Sequence, residues 1–201
     1  MKLRLGRTEL ELSYTLLCAV ALSVLLGVFQ NFVWCAAAIA LHEGGHLLAM
    51  ARYGCLPERV KIALFAIDMV DGQRRQRSGR QNACIIFFGP FANFVCFSVS
   101  FLLYLKGIHA LLPFAAANLS VGGFNSLPVP SLDGGQLLYL LLCRRLPPER
   151  AERAVKRCAV LCLACLLPAG AVLLWRSHNP SLLFLGACLA LTPALGKGRM
   201  E

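Results

Sequence analysis

Of the ten acidic residues in this 201-residue chain, Glu43 and Asp133 stand inside long apolar stretches. An ionised side chain at membrane depth is costly and marks a functional site by default. Glu43 belongs to the run His42-Glu43-Gly44-Gly45-His46. On a helix, positions i and i+4 share a face, so both imidazoles can reach one Zn2+ while Glu43 stands beside them as general base. A catalytic zinc takes three protein ligands, and two histidines leave it one short. Asp133 fits that place. It lies in Asn125-Ser126-Leu127-Pro128-Val129-Pro130-Ser131-Leu132-Asp133-Gly134-Gly135, where prolines and glycines break a helix and release backbone groups next to a site. The candidate ligands of one Zn2+ per chain are therefore His42, His46 and Asp133, with Glu43 as the candidate catalytic residue. Two plainer readings stand beside these. The histidines could pack helices, with Glu43 protonated or paired, and Asp133 could cap the helix that resumes after it.

The elements that must position these residues are membrane spans. With 58% hydrophobic and 15% charged residues, the chain is too apolar for an ordinary soluble domain. Apolar stretches at about 12–29, 31–51, 82–105, 108–142, 157–175 and 181–195 approach the ~20 residues a helix needs to cross hydrocarbon. The expectation is one polytopic domain over residues 1–201, all-α, with about six transmembrane helices. A catalytic core fills about 31–142, flanked by extra helices at 12–29, 157–175 and 181–195. The first stretch lacks a good cleavage site and is expected to stay as a helix. The fourth is interrupted by Gly122-Gly123, Pro128, Pro130 and Gly134-Gly135, which predicts a broken helix lining a polar cavity. Alternation in residues 2–5 and 9–12 around Gly6-Arg7-Thr8 predicts a short β-hairpin, and Val60 to Val70 reads as a further strand before the Asp71-Gly72 turn. After Leu146-Pro147-Pro148, Glu149/Arg153 and Glu152/Lys156 form i,i+4 pairs of a solvated face. No repeats are evident, and no soluble domain is expected after residue 196.

A net charge of +10 would suit nucleic acid, but eighteen of the twenty basic residues fall in alternate connections. Lys106 and Arg176 alone mark the other side. Charge here reads as topology, with both termini cytoplasmic, a lipid bilayer as the surroundings and no nucleic acid as partner. The Arg74 to Arg80 cluster reads as a topology anchor that touches anionic lipid. Most of the ten cysteines lie in apolar segments, so no disulfide framework is expected. Cys158, Cys162 and Cys165 read as helix-packing residues rather than cluster ligands.

His-Glu-Gly-Gly-His in one span, Gly89-Pro90-Phe91-Ala92-Asn93 in the next and Asn125 to Gly135 in the one after resemble, in order, the three core helices of the site-2 protease family of intramembrane zinc metalloproteases. The resemblance implies that His42, His46 and Asp133 bind zinc, that Glu43 is the general base and that Asn125 helps hold the substrate or its developing oxyanion. Gly89, Pro90 and Asn93 match a middle helix of less defined role, and kinking with close packing accounts for them. The family's short β-elements near the site imply that residues 2–12 and 60–70, at the cytoplasmic face, receive an unwound substrate as an added strand. The layout is most similar to the sporulation branch, whose members mature a membrane-associated sigma-factor precursor. That branch typically carries a C-terminal nucleotide-sensing CBS domain, whereas this sequence stops at Glu201. The implied setting is a bacterial cell membrane, with a membrane-protein substrate and a membrane regulatory partner.

Three function classes follow: an intramembrane zinc endopeptidase, a zinc transporter or sensor, and an inactive scaffold. Glu43 separates the first from the second, since transport has no use for a base beside the first histidine, and transporters commonly repeat their metal-binding helices. The intact Glu43 also argues against the scaffold.

Overall fold

The computed structural model describes residues 2–5, 8–12, 20, 21, 23–25, 27–57, 59–62, 67–70, 77–177, 186, 187 and 189. Half of the expected span at 12–29, most of that at 181–195, the Asp71-Gly72 turn and most of the basic loop after it lie outside these residues. The described order is β1 (Lys2–Leu5), β2 (Thr8–Leu12), α1 (Phe29–Arg52), β3 (Arg59–Ile62), β4 (Ile67–Val70), α2 (Gly79–Leu105), a 3-10 turn (His109–Leu111), α3 (Leu112–Asn125), α4 (Asp133–Leu142) and α5 (Pro148–Ser177).

The protein is mostly helical. Among the described residues, α1, α2 and α5, of 24, 27 and 30 residues, are long and apolar enough to cross a membrane. At 1.5 Å per residue each exceeds the ~30 Å hydrocarbon layer. Leu48, Leu102, Leu105, Leu161 and Trp175 are exposed on them, as expected for surfaces whose solvent is lipid.

Packing divides the chain into two compact units, Met1–Gly123 and Phe124–Glu201. In the first, α1 lies against α2. Small residues allow the approach: a β-carbon at Gly45 would overlap the Phe88 carbonyl, and one at Gly122 would press on Asn93. This is how membrane helices gain contact where lipid supplies no hydrophobic drive. α2 opens with a capping box, in which Ser78 Oγ accepts from Gln81 N at 3.3 Å and Ser78 N donates to Gln81 Oε1 at 3.0 Å. Gly54 ends α1 at φ 68°, a backbone conformation in which a side chain would be strained. Gly54 N then reaches Ala51 O and Cys55 N reaches Met50 O, each at 3.0 Å, the paired bonds of a Schellman stop.

Four strands form one sheet in the order β1-β2-β3-β4. β1 and β2 pair antiparallel, β2 and β3 parallel with Glu9 opposite Arg59, and β3 and β4 antiparallel with Lys61 opposite Asp68. The Val60 to Val70 stretch, expected as one strand, is two. Turned back on itself, the segment pairs its own backbone N–H and C=O groups, which a single long strand would leave to other partners.

In the second unit, Val129, Ala159 and Leu189 form a buried cluster supported by Phe124, Leu127, Leu132 and Leu163. The long 108–142 stretch is broken into the 3-10 turn, α3, an irregular segment and α4. Within that segment Leu127 N donates to Phe124 O, Val129 N to Leu127 O and Leu132 N to Val129 O, so its backbone groups find partners inside the protein. The segment folds back so closely that β-carbons at Gly134 and Gly135 would overlap the Ser126 and Val129 carbonyls. α5 begins with Pro148 and runs without a break through the apolar stretch, proline at a first helical position sacrificing no hydrogen bond. On it Lys156 pairs with Glu152 at 2.7 Å. Arg153 instead donates through Nε to the Glu149 main-chain carbonyl.

Candidate metal centre

His42 and His46 lie one turn apart on α1, His42 buried and His46 half-buried. What surrounds them decides which ring nitrogen carries the proton. His46 Nδ1 lies 2.8 Å from the Ile85 carbonyl of α2, which can only accept, so Nδ1 donates. His42 Nδ1 lies 2.7 Å from Asn93 Oδ1, and the amide's orientation follows from its other contacts. Asn93 Nδ2 meets two acceptors, Ala38 O at 2.9 Å and Asn118 Oδ1 at 3.0 Å. Asn118 Nδ2 in turn donates to Phe114 O at 3.0 Å. Both asparagines are wholly buried. Turning the Asn93 amide over would set oxygen against two acceptors and lose two buried hydrogen bonds, at ~1–3 kcal/mol for each group left unsatisfied. Oδ1 therefore faces His42, and His42 Nδ1 carries the hydrogen.

With both Nδ1 atoms donating, neither neutral ring has a hydrogen on Nε2. Those two nitrogens stand 3.2 Å apart, with the rings edge to face at 85°. Two lone pairs at this separation favour a cation between them. The edge of a tetrahedral zinc site with Zn–N bonds of ~2.0–2.1 Å is about 3.3–3.4 Å, so the pair fits that ion. A second layer of acceptors holding ligating histidines by Nδ1 is the usual support of such sites. Gly89 is part of the seat, because a β-carbon there would overlap the His46 imidazole. Glu43, half-buried, is the sole acidic residue of α1.

In the second unit, Asp133 is the first residue of α4 and Leu132 occupies the cap position. The reading of Asp133 as the cap itself is thus replaced by one in which its carboxylate sits in the first turn, where the helix dipole favours negative charge. Its Oδ2 is closed off from solvent. Asn125 ends α3 and is half-buried.

Sequence reasoning missed Asn118 and the Ile85 carbonyl, and reduced Asn93 to close packing. Gly89 is indeed a close-packing residue, whereas Asn93 is a hydrogen-bonding partner of His42. The signal available was an amide within an otherwise apolar helix, at both 93 and 118.

Residues 102–166 match the family model described as Peptidase family M50. The chain has the site-2 protease fold. Stage IV sporulation protein FB of Bacillus subtilis (strain 168) is 28% identical over 151 residues, a match covering 72% of this chain and 52% of that protein. A zinc metalloprotease of Methanocaldococcus jannaschii is 25% identical over 150 residues, covering 68% of this chain and 43% of that one. The chain thus spans about half the length of the curated relatives it matches. Among solved structures, the site-2 protease from Methanocaldococcus jannaschii superposes with a TM-score of 0.62 at 20% identity, covering 100% of this chain and 96% of that one. That likeness speaks for the fold. The M50 match begins within α2 and extends into α5, so the histidine motif of α1 lies ahead of it.

Proposed function

We propose that this chain is a multi-pass intramembrane zinc endopeptidase that hydrolyses a peptide bond within or next to a membrane segment of its substrate. His42, His46 and Asp133 hold one Zn2+, Glu43 is the general base, and Asn125 holds the substrate backbone or its developing oxyanion. The observation that carries the reading is the pair of Nε2 atoms at 3.2 Å, each ring held by its Nδ1, with a carboxylate next in sequence. Two imidazoles and one carboxylate are also the donor set in kind that catalytic zinc accepts.

Zinc at this group would polarise a carbonyl and bring the pKa of water toward about 7. Glu43 takes the proton of the attacking water and returns it to the leaving amine nitrogen, a transfer worth roughly 10²–10⁴-fold in rate. A substrate helix has its carbonyls tied in i to i−4 bonds and must unwind before one reaches the site, so helix-breaking residues in the substrate favour cleavage.

The sheet bears on topology. β2 and β3 belong to one sheet, so both ends of the chain between them lie on the same side and it crosses the bilayer an even number of times. α1 supplies one crossing, and the span expected from the sequence at 12–29 would be the other. This supports six spans, with the sheet and both termini on the cytoplasmic side and cleavage near that face. The branch resemblance extends the proposal to a bacterial membrane, to a sigma-factor precursor or anti-sigma factor as substrate, and to a membrane regulatory partner.

The test is zinc content of the detergent-purified protein together with cleavage of a single-span substrate bearing helix breakers near its cytoplasmic end. Wild type is expected to hold about one zinc per chain and to cut, as for open catalytic sites; Glu43→Gln is expected to keep the metal and lose cleavage. Zinc without cutting of any substrate in a panel would speak for transport or scaffolding. Wild type without metal would refute the reading.

A further inference from the structure

The hydrogen bonds that reach His42 do not stop at Asn93. They run from the Phe114 carbonyl through Asn118 Nδ2, from Asn118 Oδ1 to Asn93 Nδ2, and from Asn93 Oδ1 to His42 Nδ1. His42, Asn93 and Asn118 are buried, Phe114 is half-buried, and every bond lies between 2.7 and 3.0 Å. Asn118 touches neither histidine, yet its oxygen takes one of the two Asn93 N–H groups whose placement leaves Oδ1 for His42. Phe114 and Asn118 stand one turn apart on α3, so the third helix of the first unit reaches the histidine on the first through the second.

We infer that Asn118 is a positioning residue of the metal centre: acting through Asn93, it holds His42 in the Nδ1–H tautomer, with the Nε2 lone pair presented to the metal. The physical content is directional. An acceptor at 118 forces the amide at 93 to offer its oxygen, and each donation by that amide strengthens the next bond in line. Without the acceptor, one Asn93 N–H is buried and unsatisfied, and rotation of the amide competes with the wild-type orientation. The Nδ2 group then faces His42 Nδ1, which becomes the acceptor, and the hydrogen moves to Nε2, where it blocks ligation. Asn118→Asp keeps the acceptor and the shape, whereas Asn118→Leu keeps the bulk and removes the acceptor.

The inference rests on the zinc reading for its consequence, but the tautomer can be measured in metal-free protein. The experiment labels the four histidines with 15N, assigns His42 by its loss in His42→Ala, and reads the imidazole shifts without metal. Zinc affinity of the same membrane-purified proteins is then measured by competition with a chromophoric chelator. Wild type and Asn118→Asp should show the Nδ1–H form. Asn118→Leu should show a mixed or reversed tautomer and bind zinc 10- to 100-fold more weakly, the range usual for losing an outer-shell partner. If Asn118→Leu does not fold, Asn118→Ala, which trims the side chain, carries the same two readouts. An unchanged His42 tautomer in the folded variant would overturn the inference, as would equal loss of affinity in Asn118→Asp and Asn118→Leu, which would mean that Asn118 only fills space. Failure of wild type itself to bind zinc would refute the metal site and leave the tautomer result standing.

Discussion

Replacing Gly89 by alanine drives a methyl group into the His46 imidazole. The built β-carbon falls among Nε2, Cε1 and Cδ2 of the ring, where non-bonded heavy atoms ordinarily keep ~3.5–4.0 Å apart. The ring has little room to retreat. Its Nδ1 is bonded to the Ile85 carbonyl at 2.8 Å and its Nε2 stands 3.2 Å from His42, so either that bond breaks or α2 moves away from α1. α2 resists, because Gly45 and the Phe88 carbonyl are already in close approach. Overpacking of this kind costs about 1–3 kcal/mol. Taken wholly from the geometry of His46, that is roughly a 5- to 150-fold loss of zinc affinity at 1.4 kcal/mol per tenfold. Chelator competition measures it, and Gly44→Ala is the control: nothing lies within 4 Å of a β-carbon there, so its affinity should stay within about twofold of wild type. Gly89→Ala binding as tightly as Gly44→Ala would refute the argument that Gly89 seats the ring.

Gly45→Ala presses on main chain rather than on a ring, so its expected effect is a loss of about 1–3 kcal/mol in stability, seen as a lower thermal midpoint in detergent with or without zinc. Ser78→Ala removes the N-terminal cap of α2 and should lower stability by about 1 kcal/mol, leaving zinc affinity unchanged because the cap lies at the helix start, away from Gly89. Chelation of the metal should lower the unfolding midpoint by an amount that grows with free zinc, about 2.7 kcal/mol at a hundred times Kd. Restoration by Zn2+ but not by Mg2+ would match a site with two imidazoles.

The proposed ligands and base were legible because their chemistry has no other comfortable use in an apolar stretch. His42, Glu43, His46 and Asp133 announce themselves by the cost of being where they are. Their supports were not legible, for two separate reasons. Ile85 acts through its carbonyl, which every residue possesses, so no side-chain identity could single it out. Asn93 and Asn118 act through side chains, but the partners that orient them include the Ala38 and Phe114 carbonyls, and only the packing of three helices brings these together. In the sheet, the alternation of residues 2–5 and 9–12 was visible while the doubling back between β3 and β4 was not, since no glycine or proline marks a break between Ile62 and Ile67. The 108–142 stretch shows the reverse case. Its glycines and prolines predicted an interruption, and α3 and α4 are separated by an irregular segment that contains both prolines.

The parallel pairing of β2 with β3 bears on the order in which the protein is built. Glu9 and Arg59 face each other across the sheet, yet all of α1 lies between them in the chain. Non-local contacts form late, after the intervening loop has closed. In the proposed topology the hairpin of β1 and β2 can form as soon as it is synthesised, but it waits for the helix bearing the histidines to be inserted and for the chain to return before it finds β3. In that topology the finished sheet would report correct insertion: a chain whose first crossings fail leaves the edge of β2 uncovered, a surface open to aggregation and to quality-control proteolysis.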